Sequence, residues 1–329
     1  MIVLSYIIIN VWIVIQVHRS TVTSLTSLQN NYIMAYENKT WADNQIKKAQ
    51  NKCNEYTQYA CQHQTSDEKN FDKDGLLNAE YVSEGTLPHI AYLLIHIEPI
   101  VSGIPSKQTW DCGGSLISEK FVMTAAHCTF GIEFVGQITI KLGSLDMRND
   151  GTGQWYGVDR IYEHPYFKYD DGLLHDIALI ELSERVHFKP NMRPICLNTN
   201  YEINKYTSAI AAGWGDTEHG GTNNYLKMAE LPMNESACDF LFIRDGQFYE
   251  VAKSYTICTS EAKKGPCPGD SGSPLQVLLE NTTCPNIYEQ IGIASFGYGA
   301  CSLNSTFNIG LYRKVALYVP WIASIVWPE

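Results

Sequence analysis

Apolar residues recur along most of this chain in short runs of strand length, and helical spacing is rare. The clearest runs are Ile90–Ile97, Gly114–Thr124, Ile138–Leu142, Ile177–Leu182, Ala209–Gly213, Ser273–Leu279 and Gln290–Phe296. Gly, Asn, Asp or Pro clusters separate many of them, which predicts an all-β sandwich or barrel. Only the tail, Val315–Trp327, lays its apolar residues along one helical face, with Pro320 near the start. No internal repeat is present.

Two stretches break this texture. Met1 to about Val17 is almost wholly apolar and is followed by His18-Arg19, with Val22-Thr23-Ser24 as a small-residue cleavage site. Such a run at the extreme N-terminus reads as a signal peptide over residues 1–24; no basic side chain precedes it, so an uncleaved anchor is the alternative. Residues 25–75 are rich in Asn, Gln, Lys and Asp and hold little to build a core. They read as a pro-segment or light chain with one short helix near Trp41–Tyr59.

Composition narrows the classes. A chain of 329 residues, 45% of them hydrophobic, fills one large core or two smaller ones. The formal net charge of −11 leaves no basic footprint, which argues against a nucleic-acid partner. No stretch after the leader reaches the roughly 20 apolar residues that cross a bilayer. The 10 cysteines form no paired CxxC units, so disulfides in an oxidising compartment are expected rather than zinc. Sequons at Asn38, Asn234, Asn281 and Asn304 fit a glycoprotein of the secretory pathway. Asp146 and Asp150 read as solvated surface charge rather than calcium ligands, and no metal or cofactor is expected.

Three segments carry chemistry. Thr124-Ala125-Ala126-His127-Cys128 places a histidine beside a cysteine, with Cys112-Gly113-Gly114-Ser115 upstream. A bridge between these cysteines would fix the imidazole, as a general base requires. His175-Asp176-Ile177-Ala178-Leu179-Ile180 sets an aspartate at the mouth of an apolar strand. A buried carboxylate there would hold one imidazole tautomer and stabilise the imidazolium. Gly269-Asp270-Ser271-Gly272-Ser273-Pro274 is a Gly-flanked turn whose N–H groups can converge around an exposed hydroxyl. An α/β-hydrolase would place its serine first, within Gly-x-Ser-x-Gly. Here Ser271 comes last and Ser273 stands at the final position of that pattern.

With these three motifs in the order His, Asp, Ser, the chain from about Leu76 to Glu329 resembles the chymotrypsin-fold serine peptidases. Gly213-Trp214-Gly215, Pro194-Ile195-Cys196-Leu197, Ser295-Phe296-Gly297 and Gly310-Leu311-Tyr312 extend the match. The texture is similar to arthropod extracellular proteases of the venom or haemolymph-cascade type. The resemblance implies two packed six-stranded antiparallel β-barrels, about 76–195 and 196–315, closed by a C-terminal helix. It implies Ser271 as nucleophile, His127 as base, Asp176 as its support, and the N–H groups of Gly269 and Ser271 as oxyanion hole. Ser295 would support Asp176, and Ser295, Phe296 and Gly297 would receive substrate backbone as an added strand. Gly265 would form the base of the primary pocket, with Gly297 and Gly310 as walls: open, uncharged and suited to large apolar or aromatic side chains. Implied partners are protein or peptide substrates, an activating protease and protein inhibitors.

The same comparison implies the bridges Cys112–Cys128, Cys238–Cys258 and Cys267–Cys301. Cys196 would tether the pro-segment through Cys53 or Cys61, with the remaining one on Cys284; Cys53–Cys61 with Cys196–Cys284 is the alternative. Activation in this family frees an Ile-Val-Gly-Gly terminus that pairs with the aspartate before the nucleophile, here Asp270. Leu76-Leu77-Asn78-Ala79 stands at that site, behind Gly75 rather than Arg or Lys. Asn78 and Ala79 replace two hinge glycines. Pro268, Ser273 and Phe296 are further departures. A second hypothesis is therefore a zymogen-locked, non-catalytic homologue that acts as a binding module.

Overall fold

The strand-length runs do form strands, arranged in two curled sheets. The computed structural model describes residues 38–63 and 80–328, apart from 98–99, 102–103, 106–107, 133, 149–150, 170–172, 217–222, 240, 245–246, 251–252, 262–263, 281, 283, 285 and 299–307. The apolar leader, Leu76, Asp150, Asn281, Asn304 and Cys301 lie outside the described residues.

In chain order the main elements are α1 (Lys39–Gln62), β1 (Glu80–Tyr81), β2 (Ile90–Ile97), β3 (Gln108–Leu116), β4 (Phe121–Thr124) and β5 (Ile138–Leu142). Then come β6 (Gln154–Tyr156), β7 (Val158–Glu163), β8 (Ala178–Leu182), β9 (Cys196–Leu197), β10 (Ser208–Gly213) and β11 (Lys227–Pro232). The chain finishes with β12 (Thr256–Glu261), β13 (Pro274–Leu278), β14 (Tyr288–Tyr298), β15 (Asn308–Lys314) and α2 (Val319–Val326). The first sheet has seven strands in the order β6-β5-β2-β3-β4-β8-β7. The second has eight, in the order β1-β11-β10-β13-β14-β15-β12, with β9 added on β14. Pairing is antiparallel except for β9, which runs parallel to β14.

β2 is hydrogen-bonded on both sides, by β3 and β5, and its inward residues Ala91, Leu93 and Ile95 are fully buried. The predicted run Gly114–Thr124 is two strands. A turn splits it where Ser118 Oγ accepts the N–H groups of Lys120 and Phe121 at 3.2 and 3.1 Å. The tail is helical in two parts: a 3-10 turn over Val315–Tyr318, then α2 with Pro320 in its first turn.

The polar segment differs from expectation. Instead of one short helix it forms the 24-residue α1, capped where Asn38 Oδ1 accepts the Trp41 N–H at 3.2 Å. Its buried residues Gln45, Ala49, Tyr56 and Ala60 repeat on one face, so a narrow stripe of small and aromatic groups suffices to dock it. That face lies on α2 and β9. Lys48 Nζ donates to the Trp327 carbonyl at 2.8 Å, and the Tyr56 and Tyr59 rings meet Phe188 edge-on at 5.8 and 5.6 Å. Two disulfides, Cys53–Cys196 and Cys61–Cys284, fasten the helix and decide between the alternative pairings. Cys112–Cys128 and Cys238–Cys258 join as the resemblance implied, and Cys267 is also bridged.

Asp146 is likewise not a solvated charge. It is buried, and its carboxylate accepts from the side chain and the backbone N–H of Arg148. No helix among the described residues is long and apolar enough to cross a membrane.

Candidate active site

Antiparallel register brings the first two chemical residues together. Ala178 of β8 stands opposite Thr124 of β4, so His127, just past β4, and Asp176, just before β8, emerge at the same end of neighbouring strands. A single 3-10 turn, Ala126–Cys128, carries His127, and the Cys112–Cys128 bridge ties that turn to β3. Ahead of Asp176, Leu173 and His175 adopt left-handed backbone, with φ of 58° and 57°. Such conformations cost about 1–2 kcal/mol per residue and persist only when packing fixes them. At His175 the packing is aromatic: it stacks on His164 at 5.0 Å and meets Tyr255 edge-on at 5.1 Å.

Asp176 is fully buried and its acceptor positions are occupied. Its Oδ1 accepts the His127 backbone N–H at 2.8 Å, and its Oδ2 lies 2.8 Å from His127 Nδ1. Ser295 Oγ donates to the same Oδ2 at 2.6 Å. Burial alone would raise the Asp176 pKa. The His127 charge and the hydrogen bonds from His127 and Ser295 outweigh it, so the carboxyl is held below its usual range. An acceptor-only carboxylate on Nδ1 leaves Nε2 as the imidazole's free lone pair.

Ser271 reaches this pair from the second sheet. It sits in the turn before β13, and its carbonyl accepts the N–H of Gly113, in β3 of the first sheet, at 2.7 Å. Gly272 follows with φ +81°, and a Cβ there would lie 2.1 Å from Thr124 Oγ1 and 2.4 Å from the Gly113 carbonyl. Only glycine lets the turn approach the first sheet this closely. Gly269 is also left-handed, at φ +95°. Among the described residues neither the Gly269 nor the Ser271 N–H is taken by a protein acceptor.

His127 and Ser271 line one cleft of about 270 Å³ with Ser295, Phe296 and Gly297. Its remaining wall is Tyr169, Leu173, Pro266, Cys267, Pro268 and Ala294, with no charged side chain. Gly265 and Gly310 are not part of that lining. A Cβ on Gly310 would meet Thr259, Pro266 and the Tyr312 ring within 2.8 Å, so this side is packed rather than open. Tyr169 and Leu173 carried no sequence signal, because their segment shows no motif.

Behind the cleft, Asp270 is partly buried. Its carboxylate accepts the N–H groups of Gly215 and Cys267, each at 2.8 Å. Burial pushes its pKa up to about 6, with nearby Asp216 adding to the rise and the two N–H groups opposing it. A Cβ on Gly213 or Gly215 would collide with this carboxylate at 2.0 or 2.5 Å, which explains the Gly-Trp-Gly motif.

Two sheets meeting at a cleft that holds a His–Asp pair and a serine are accompanied by a direct match. The trypsin family model covers residues 95–322. The chain belongs to the trypsin family. It is 31% identical over 253 residues to serine protease snk of Drosophila melanogaster, covering 74% of this chain and 55% of that protein. It is 32% identical over 234 residues to phenoloxidase-activating enzyme 1 of Spodoptera litura, covering 66% and 59%. With serine protease grass of Drosophila melanogaster it is 33% identical over 232 residues, covering 64% and 59%. The chain thus spans little more than half the length of these trypsin-family relatives.

Proposed function

We propose that this chain is a secreted serine endopeptidase, made as a zymogen, that hydrolyses peptide bonds through an acyl-enzyme. The observation that carries the reading is His127, held by the buried Asp176 and opening on the cleft that Ser271 lines. Ser271 Oγ attacks the scissile carbonyl carbon as its proton passes to His127 Nε2. The oxyanion is received by the N–H groups of Gly269 and Ser271, each worth about 10²–10³ in rate. His127 then protonates the departing amine as the C–N bond breaks, and water repeats the sequence to free the acid. Asp176 keeps the proton on Nδ1 and stabilises the imidazolium.

The uncharged lining supports a preference for large apolar or aromatic side chains at the cleaved residue. The bridged cysteines support an extracellular location. The relatives' names, one of them a phenoloxidase-activating enzyme, support a place among proteases that act on other proteins. An activating protease, cutting ahead of Leu76, and protein inhibitors are the partners this reading requires.

A fluorophosphonate probe tests it. The cleaved protein is expected to take up one label, lost in Ser271→Ala, with kcat reduced by about 10⁴-fold or more. Absence of labelling after cleavage at every accessible site would favour a zymogen-locked binding module instead. A peptide-library profile dominated by Arg or Lys would overturn the apolar preference.

A further inference from the structure

A buried cation in a β-barrel is costly unless something takes its hydrogen bonds and its charge. Arg313, in β15, is 4% exposed. It stands opposite Thr256 of β12, and its Nη1 donates to Thr256 Oγ1 at 3.0 Å. Its Nε donates to Ser295 Oγ at 3.4 Å. Ser295 is the same residue whose hydroxyl donates to Asp176.

A guanidinium has donors and no acceptor. Ser295 therefore meets Arg313 with a lone pair, and its single hydrogen points to Asp176. The series Arg313 to Ser295 to Asp176 has one possible direction, and Asp176 Oδ2 receives from Ser295 on one side and His127 on the other. A permanent donor at the far end thus fixes every proton position up to the imidazole.

We infer that Arg313 is a positioning residue for the His127–Asp176 pair: a permanent buried cation that sets the donor direction and disfavours a second positive charge on His127. The inference rests on the peptidase reading above. Buried charges act over several ångströms because little water screens them. The effect is visible at His175, which burial and then the Arg313 charge hold below the usual histidine range.

The other groups facing this cluster leave the assignment intact. His164, stacked on His175, is pushed down to about 3 by burial and stays neutral in any working range. Tyr318 OH lies 3.4 Å from His175 Nδ1, and the Tyr255 ring meets that imidazole edge-on. Glu163 accepts from Thr129 Oγ1 at 2.9 Å and keeps those surroundings when Arg313 is changed.

The test follows the His127 Nδ1–H signal by proton NMR against pH in the cleaved protein, with the α1 segment still held by its two disulfides, alongside the pH profile of kcat/KM. Arg313→Met and Arg313→Gln are expected to raise the midpoint at which His127 takes up its second proton by about half a pH unit or more. That is roughly threefold in proton affinity, and the acid limb of kcat/KM moves the same way. Arg313→Lys restores the charge and is expected to restore the midpoint. Two neutral variants of different polarity cover the failure of one to fold, since an apolar residue of similar volume often replaces a buried ion without loss. A folded Met or Gln variant with an unmoved midpoint would overturn the inference, as would a Lys variant shifted as far as Met. An NMR midpoint that moves in a protein without turnover would instead sink the peptidase reading and leave the role of Arg313 standing.

Discussion

At the scale of single residues, Ser273 shows what a small departure from a family pattern does. Its hydroxyl is buried and has no hydrogen-bond partner among the described residues. It sits where a Cβ on Gly113 would fall, 1.8 Å away, so the space around it is already filled. An unsatisfied buried hydroxyl costs about 1–3 kcal/mol, whereas a methyl group in the same place costs nothing in hydrogen bonds. Ser273→Ala is therefore expected to stabilise the protein by about 1 kcal/mol in urea unfolding, and a loss of stability would show that an ordered water serves the hydroxyl. The histidine and serine that the structure gathers at the cleft, and the carboxylate behind that histidine, are legible in the sequence at this scale. His127, Asp176 and Ser271 each stand in a motif with diagnostic neighbours. Arg313 is not legible, because it stands in no motif, and only the structure shows it turned inward.

At the scale of elements, legibility followed how many apolar residues a strand carries. β2 and β8 are near-continuous apolar runs, β5 (ITIKL) alternates apolar and polar residues, and all three are legible almost to the residue. β7, β11, β12 and β15 were missed because each carries charged or polar groups, and in β7 (VDRIYE) much of one face meets solvent. α1 was read too short for a related reason: its docking stripe is narrow. That stripe nevertheless has a heavy anchor in Tyr56, 6% exposed against Phe188. Removing a buried aromatic side chain costs about 3 kcal/mol or more. Tyr56→Ala is expected to lower the melting temperature by about 6 °C while leaving the rate of fluorophosphonate labelling at 25 °C unchanged, since Tyr56 touches nothing in the cleft. A parallel fall in labelling would mean that α1 supports the site as well as the fold.

At the scale of the whole molecule, the proposed activation requires a cut ahead of β1 to act on a cleft between two sheets, and Asp270 is where that can be measured. Its carboxyl lies beside the Ser271 turn and carries a pKa raised to about 6, chiefly by burial. For a carboxyl the sign is definite. A pKa raised on folding contributes stability that is fully present below its ordinary value near 4, and that stability is lost as pH rises through about 6. The uncleaved chain is thus expected to melt at a higher temperature near pH 5 than near pH 7.5, and Asp270→Asn to remove most of that difference. Partial exposure of the group keeps the effect to about 1–2 kcal/mol. Cleavage reverses the expectation. A new amino terminus paired with Asp270 would pull the carboxyl back below its ordinary value, so that the cleaved protein gains stability toward neutral pH. Asn78 and Ala79 stand where the family resemblance implies two hinge glycines, which makes this comparison decisive. Equal pH dependence before and after the cut would mean that the amine never reaches Asp270, and that Gly269 and Ser271 are set by the fold alone.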